Sequence, residues 1–221
     1  MPEAMQATVF IVDDDVLVLK SLVHLVGSMG FAVEPYDSPQ VFLKTCDLER
    51  PGCLLLDLSM PVMSGFEVQQ HLVSAGSLLT AVFLTGRGTI SASVAAIKNG
   101  AVDFLSKPVS DGNLFVAISS AIERNRQARR ERAERESIVK RFSALTEREK
   151  EVMYHLLSGK RNKQIAYELG IVEKTIKVHR ARVMAKVGVT SLVSLADLAR
   201  HCEINGANPG PALPDTHPKH A

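Results

Sequence analysis

Asp57 closes the run Leu54-Leu55-Leu56-Asp57, and the turn sequence Leu58-Ser59-Met60-Pro61 follows it. The same pattern, an apolar run stopping at a polar residue, recurs three times. Val9-Phe10-Ile11-Val12 leads into Asp13-Asp14-Asp15, Ala81-Val82-Phe83-Leu84 into Thr85-Gly86, and Phe104-Leu105-Ser106 into Lys107-Pro108. Such runs suit buried parallel strands, whose carboxyl ends face the cleft where open α/β sheets place their ligands. Brought together there, Asp13, Asp14 and Asp57 repel one another. A hard divalent cation such as Mg2+ relieves this by accepting carboxylate oxygens, a main-chain carbonyl such as that of Ser59, water and an incoming phosphoryl oxygen. Lys107 offers a second positive charge to an equatorial phosphoryl oxygen, and the Thr85 hydroxyl can donate to another. The chemistry this set suits is in-line phosphoryl transfer onto the Asp57 carboxylate, driven by positioning and electrostatics. Slow hydrolysis by a water in line with the same phosphorus is its by-product. Asp15 reads as the N-cap of the helix that follows.

For these side chains to meet, strands and helices must alternate. Strands are expected over residues 8–12, 31–36, 53–56, 80–84 and 101–105. Helices are expected over 16–28, 39–48, 65–73, 90–99 and 111–122. Five such units make a doubly wound α/β sheet. Residues 123–142 are densely charged, with opposite charges at short helical spacings, and read as an exposed helical linker. From Ser143 the pattern becomes all-α. Thr146 and Glu149 form a capping box opening a helix through Leu157, and a second helix runs from Asn162 to Leu169. Gly170 turns the chain into a third helix over 173–186, and a fourth covers 191–203. In the third helix Ile176, Val183 and Val187 make an apolar stripe, while Lys174, Lys177, His179, Arg180, Arg182 and Lys186 make a basic exterior. Val172, just before this helix, carries no side-chain acceptor that could cap it. Residues 205–221 are Pro-rich and lack a core-forming period.

Composition limits the classes available. A 221-residue chain with 46% hydrophobic and 23% charged residues fits one large or two modest globular domains. It has neither a membrane-length apolar run nor a secretory pattern, so a cytoplasmic protein without membrane association is expected. Cys46, Cys53 and Cys202 show no metal or disulfide spacing and read as reduced thiols. The net charge of +2 conceals a division. Residues 1–120 carry 12 acidic and 6 basic residues, whereas residues 121–205 carry 11 acidic and 19 basic ones. The second half is expected to attract a polyanion.

Residues 8–122 resemble the CheY-like receiver domain of two-component response regulators. The match rests on Val12-Asp13-Asp14-Asp15, Asp57-Leu58-Ser59-Met60-Pro61, Ser64-Gly65, Leu84-Thr85-Gly86 and the stretch from Lys98 to Pro108. The resemblance implies Asp57 as phosphoacceptor, Asp13, Asp14, Asp57 and the Ser59 carbonyl as Mg2+ ligands, Thr85 and Lys107 as phosphate sensors, and Phe104 as the switch aromatic. Residues 143–203 resemble the LuxR-type helix-turn-helix output domain of the FixJ and NarL groups, through Leu145-Thr146-Glu147-Arg148-Glu149, Asn162-Lys163-Gln164-Ile165-Ala166 and Thr175-Ile176-Lys177-Val178-His179-Arg180. This implies Lys177, Val178 and Ala181 as groove-facing residues, with Lys174, Thr175, His179 and Arg182 at the phosphates.

The expected architecture is therefore a receiver over 1–122, a linker over 123–142, a DNA-binding domain over 143–204 and a tail over 205–221. The expected function is that of a transcriptional regulator, not an enzyme beyond its own Mg2+-dependent phosphorylation and dephosphorylation. A sensor histidine kinase phosphorylates it at Asp57, and it binds promoter DNA as a phosphorylation-dependent homodimer and activates through RNA polymerase. Two alternatives compete with this reading. One is a DNA-binding regulator indifferent to phosphorylation. The other is a receiver acting through protein contacts or as a phosphate sink.

Overall fold

Thr8–Val12 (β1), Ala32–Tyr36 (β2), Gly52–Asp57 (β3), Thr80–Thr85 (β4) and Asp103–Ser106 (β5) pair in the order β2-β1-β3-β4-β5, every pair parallel. These belong to a computed structural model that describes residues 7–86, 103–202 and 204. The helix expected over 90–99 and the tail expected over 205–221 lie outside the described residues. Helices Val16–Ser28 (α1), Pro39–Thr45 (α2) and Gly65–Ser74 (α3) link the strands, and Asp111–Ser143 (α4) follows β5. Glu147–Leu157 (α5), Asn162–Glu168 (α6), Glu173–Val187 (α7) and Leu192–His201 (α8) complete the chain. The chain divides into two compact units between Glu131 and Arg132.

In the first unit, alternate strand residues enter opposite cores, as the two-residue period of a strand requires. Phe10, Val12, Leu54, Leu56 and Phe83 pack with Phe42 of α2 and with Val68 and Leu72 of α3. Val9, Ile11, Leu55, Val82 and Leu84 pack with Leu19, Leu22 and Val26 of α1 and with Leu114, Ala117, Ile118 and Ala121 of α4. All six residues of β3 are buried, which explains why its sequence is a continuous apolar run with no alternation. Helix α2 is shorter than the 39–48 expected. At Cys46 the backbone turns extended, with φ −74° and ψ 133°, and the Asp47 carboxylate accepts from the Glu49 amide at 3.0 Å, fixing a turn.

Helix α4 runs unbroken through the charged stretch. Asn125, within that stretch, is 1% exposed. Its Oδ1 accepts from the Gly52 amide at 3.1 Å and its Nδ2 donates to the Leu78 carbonyl at 2.5 Å, tying the helix to the start of β3 and to the turn before β4. From Arg130 to Ser137 every residue is exposed. There the helix is laced by side-chain pairs such as Gln127 with Glu131 and Arg132 with Glu136.

In the second unit, Ile138 and Phe142 from the end of α4 are buried with Leu145, Met153, Val183, Val187, Leu195 and Ala199. Val152, Leu156, Ile165, Ala166 and Ile176 form an adjoining cluster. Thr146 and Glu149 make the expected capping box. The turn after α6 at Gly170 has φ +64°, a left-handed conformation that favours glycine. Val172 at the head of α7 makes no side-chain cap hydrogen bond.

Candidate functional site

The strand register sets the site. Val12 pairs with Leu56, so Asp13 and Asp57 are the next residues at the carboxyl ends of adjacent strands. Thr85 pairs with Ser106, which places Lys107 just beyond the end of β4. The Lys107 amide donates to the Thr85 carbonyl at 2.7 Å, and the Leu58 amide donates to the Leu84 carbonyl at 3.0 Å. Gly65 begins α3 directly against the end of β3, where a Cβ would lie 2.5 Å from the Asp57 carbonyl oxygen, so only glycine allows this approach. Across this frame Lys107 Nζ reaches Asp13 Oδ2 at 2.5 Å and Asp57 Oδ1 at 2.6 Å. The second oxygen of Asp57 accepts from the Ser59 amide at 2.7 Å, and that of Asp13 from the Asp15 amide at 3.0 Å.

Asp13, Asp57 and Thr85 are all buried. Burial pushes the Asp13 carboxyl above the usual range against the pull of Lys107, and the charge of Asp57 adds to the rise. For Lys107, burial opposes the charge, but hydrogen bonds to both carboxylates overcome it and push the ammonium up. Two buried carboxylates thus share one ammonium, and the excess negative charge suits a cation. Asp14 is exposed and shares no hydrogen bond with Asp13, Asp57 or Lys107. Among the described residues no group of three or more His, Cys, Asp or Glu side chains is spaced to hold a metal ion. The donors present fit a hard ion that keeps much of its water: the Asp13 and Asp57 carboxylates with a main-chain carbonyl such as that of Ser59. Asp15 caps α1 through the Leu17 and Val18 amides. The half-buried Phe104 packs at the edge of the core, its ring 6.5 Å from that of Phe83.

The second set of expected residues lies on α7. Ile176, Val183 and Val187 are buried, while Lys174, Lys177, Val178, Ala181 and Arg182 are exposed and Thr175 and His179 are half-buried. The His179 Nδ1 atom is shielded from solvent and has no hydrogen-bond partner among the described residues. Lys177 pairs loosely with Glu173 at 3.4 Å. The exposed side of α7 is therefore a basic surface interrupted by small apolar side chains, the composition of a helix that enters a major groove.

Comparison with known proteins agrees with both halves. Residues 9–119 match the response regulator receiver domain, and residues 143–199 match the bacterial regulatory proteins of the luxR family. The chain is 40% identical over 189 residues to the response regulator protein TodT of Pseudomonas putida, covering 86% of this chain and 83% of that protein. It is 40% identical over 192 residues to the transcriptional regulatory protein FixJ of Rhizobium meliloti, covering 87% and 94%. The solved structure of the response regulator StyR aligns with a TM-score of 0.77 at 42% identity, covering 88% of this chain and 98% of that one. The chain belongs to the FixJ/NarL response regulators. Members of this group join a receiver to a LuxR-type output domain, so this response regulator has the architecture of a two-component transcription regulator. No helix among the described residues is long and apolar enough to cross a membrane.

The response regulator also contains polar links that the sequence does not reveal. Lys186, near the end of α7, donates to Glu149 Oε2 at 2.7 Å and to the Ala144 carbonyl at 3.1 Å. Arg141 Nη1 donates to the Val187 carbonyl at 3.3 Å. The Lys186 hydrogen bond and the Thr146 amide together hold the Glu149 carboxyl down at about 2. No local motif predicts these partners, because they lie 37 to 46 residues apart.

Proposed function

We propose that a sensor histidine kinase phosphorylates this response regulator on Asp57 and that it then binds promoter DNA through α7. The observation that carries this reading is the Lys107 ammonium held between Asp13 and Asp57. Transfer breaks the P–N bond of a phosphohistidine donor and forms a P–O bond to an Asp57 oxygen. Lys107 is already in place to stabilise charge on the phosphoryl group, and Asp57 is held for attack by the Ser59 amide. A bound Mg2+ would supply further charge neutralisation on the phosphoryl oxygens, held by Asp13, Asp57 and the Ser59 carbonyl, with Asp14 close by to add negative charge. A phosphoryl group on Asp57 takes up Lys107 and offers an acceptor to Thr85. The Phe104 ring, packed near Phe83, then follows Thr85, and the change favours a receiver homodimer. Release of a receiver–output restraint places two copies of α7 on neighbouring half-sites, with Lys177, Val178 and Ala181 toward the bases and Lys174, Thr175, His179 and Arg182 toward phosphates. Activation through RNA polymerase in the cytoplasm completes the reading.

The test is Asp57→Ala protein offered a phosphorylated histidine kinase. Wild type is expected to acquire acid-stable, hydroxylamine-labile label and to gain DNA affinity on phosphorylation, and the variant to do neither. Equal labelling of the variant would sink the assignment of Asp57. Labelling of wild type with unchanged DNA affinity would sink the proposed switch.

A further inference from the structure

On α7, Thr175, His179, Arg182 and Lys186 recur at spacings of four, three and four residues, so they line one flank of the helix. The first three are the residues read above as phosphate contacts. The fourth reaches a cleft of about 570 Å3 between the end of α7 and the last turns of α4, lined also by Glu136, Ser137, Lys140 and Arg141. We propose that this cleft continues the DNA-backbone track and that Lys140 binds a phosphodiester beyond the groove-facing turns. The inference rests on the reading of α7 as the DNA-contacting helix.

Charge and pairing within the second unit support it. Lys186 is anchored by Glu149 and the Ala144 carbonyl, so it fixes one wall of the cleft. Arg141 uses Nη1 on the Val187 carbonyl and keeps its remaining guanidinium donors. Glu136, the acid lining the cleft, is occupied by Arg132 at 3.1 Å. The Lys140 side chain is exposed and its ammonium has no ion-pair or hydrogen-bond partner among the described residues. An exposed, unneutralised ammonium beside two tethered cations is the arrangement that displaces counterions from a polyanion. Among the described residues the cleft has no aromatic side chain on which a base could stack, so its chemistry selects the phosphodiester chain over a free nucleotide.

The experiment measures binding of the phosphorylated full-length protein to a fluorescent duplex of mixed sequence across a salt series, for wild type, Lys140→Ala, Lys140→Arg and Lys177→Ala. Each lost phosphate contact should reduce the steepness of log K against log salt by about 0.9. Lys140→Ala is expected to show that reduction and to bind severalfold more weakly at low salt, and Lys140→Arg to restore both. Thermal unfolding of both Lys140 variants should match wild type, because the Lys140 side chain is exposed. Unchanged affinity and steepness in Lys140→Ala, with weakened binding in Lys177→Ala, would overturn the extended track while leaving α7 as the DNA helix. Weaker binding at unchanged steepness would also overturn it, since the contact would not be ionic. Wild type that fails to bind duplex would overturn the underlying reading and the track with it.

Discussion

Asp13 and Asp57 share a single ammonium, and this imbalance governs what the cleft will accept. Lys107 lies 2.5 Å from one carboxylate and 2.6 Å from the other, so it competes with any cation that the two acids bind. Lys107→Ala should therefore tighten Mg2+ binding by about thirtyfold, the size of the ~2 kcal/mol repulsion between a unit charge and a divalent ion roughly 4 Å apart in a water-like medium, while abolishing phosphate-dependent DNA binding. Asp13→Asn should weaken Mg2+ binding by a comparable factor. Titration calorimetry on the two variants checks both, and a Lys107→Ala protein with weaker Mg2+ affinity would remove Asp13 and Asp57 as the ligand pair. These residues were legible because each follows an apolar run and the register of parallel strands aligns run ends. Asn125 was not legible. It sits among exposed Arg and Glu side chains, and only the fold shows that its amide meets Gly52 and Leu78, 73 and 47 residues away.

Among the elements, α7 carries the recognition surface yet begins without a cap. Val172 has φ −78° and ψ 149°, the extended geometry of an N-cap, and makes no side-chain hydrogen bond. Val172→Ser should supply the missing acceptor and stabilise the second unit by about 0.5 to 2 kcal/mol, read as a rise in its unfolding midpoint, with slower amide exchange in the first turn of α7. The sequence signalled this gap directly, because a cap is a local device. The other end of α7 depends on distant partners. Glu149 is 3% exposed and is held at about 2 by Lys186 and the Thr146 amide, against an ordinary carboxylate value of 4.5. Since its folded pKa is depressed, its contribution is fully present above about pH 5 and is lost as pH falls toward 2. Screening of the half-exposed Lys186 limits that contribution to about 1 to 2 kcal/mol. Unfolding of wild type should become easier across this window, whereas Glu149→Gln should start less stable and vary less with pH. Parallel pH curves for the two proteins would show that the pair contributes nothing. Helix and strand positions were readable from apolar period and caps. The C-terminal boundary of α2 was not, because Asp47 folds back on the Glu49 amide and ends the helix against its propensity.

For the molecule as a whole, the informative stretch is the one that neither core covers. Helix α4 contributes Leu114, Ala117, Ile118 and Ala121 to the sheet core and Ile138 and Phe142 to the output core, while Arg130 to Ser137 are exposed throughout. The sequence conveyed the charge of this stretch but not the burial of Ile138 and Phe142, since two apolar residues four apart do not make a readable period. With every residue of the stretch exposed, local opening there costs mainly helix energy. Trypsin under limiting conditions should therefore cut first after Arg130, Arg132 or Arg135, leaving both cores intact. The cut bears on regulation because the proposed switch treats the unphosphorylated receiver as a restraint on DNA binding. If that restraint operates through the intact chain, nicking the unphosphorylated protein should raise its affinity for duplex DNA. The same nick in phosphorylated protein should lower affinity, because it uncouples α7 from the receiver homodimer and removes the gain from paired half-sites. Binding measured before and after nicking, in both phosphorylation states, separates the two effects. Falling affinity in both states would leave dimerisation as the switch and eliminate the restraint.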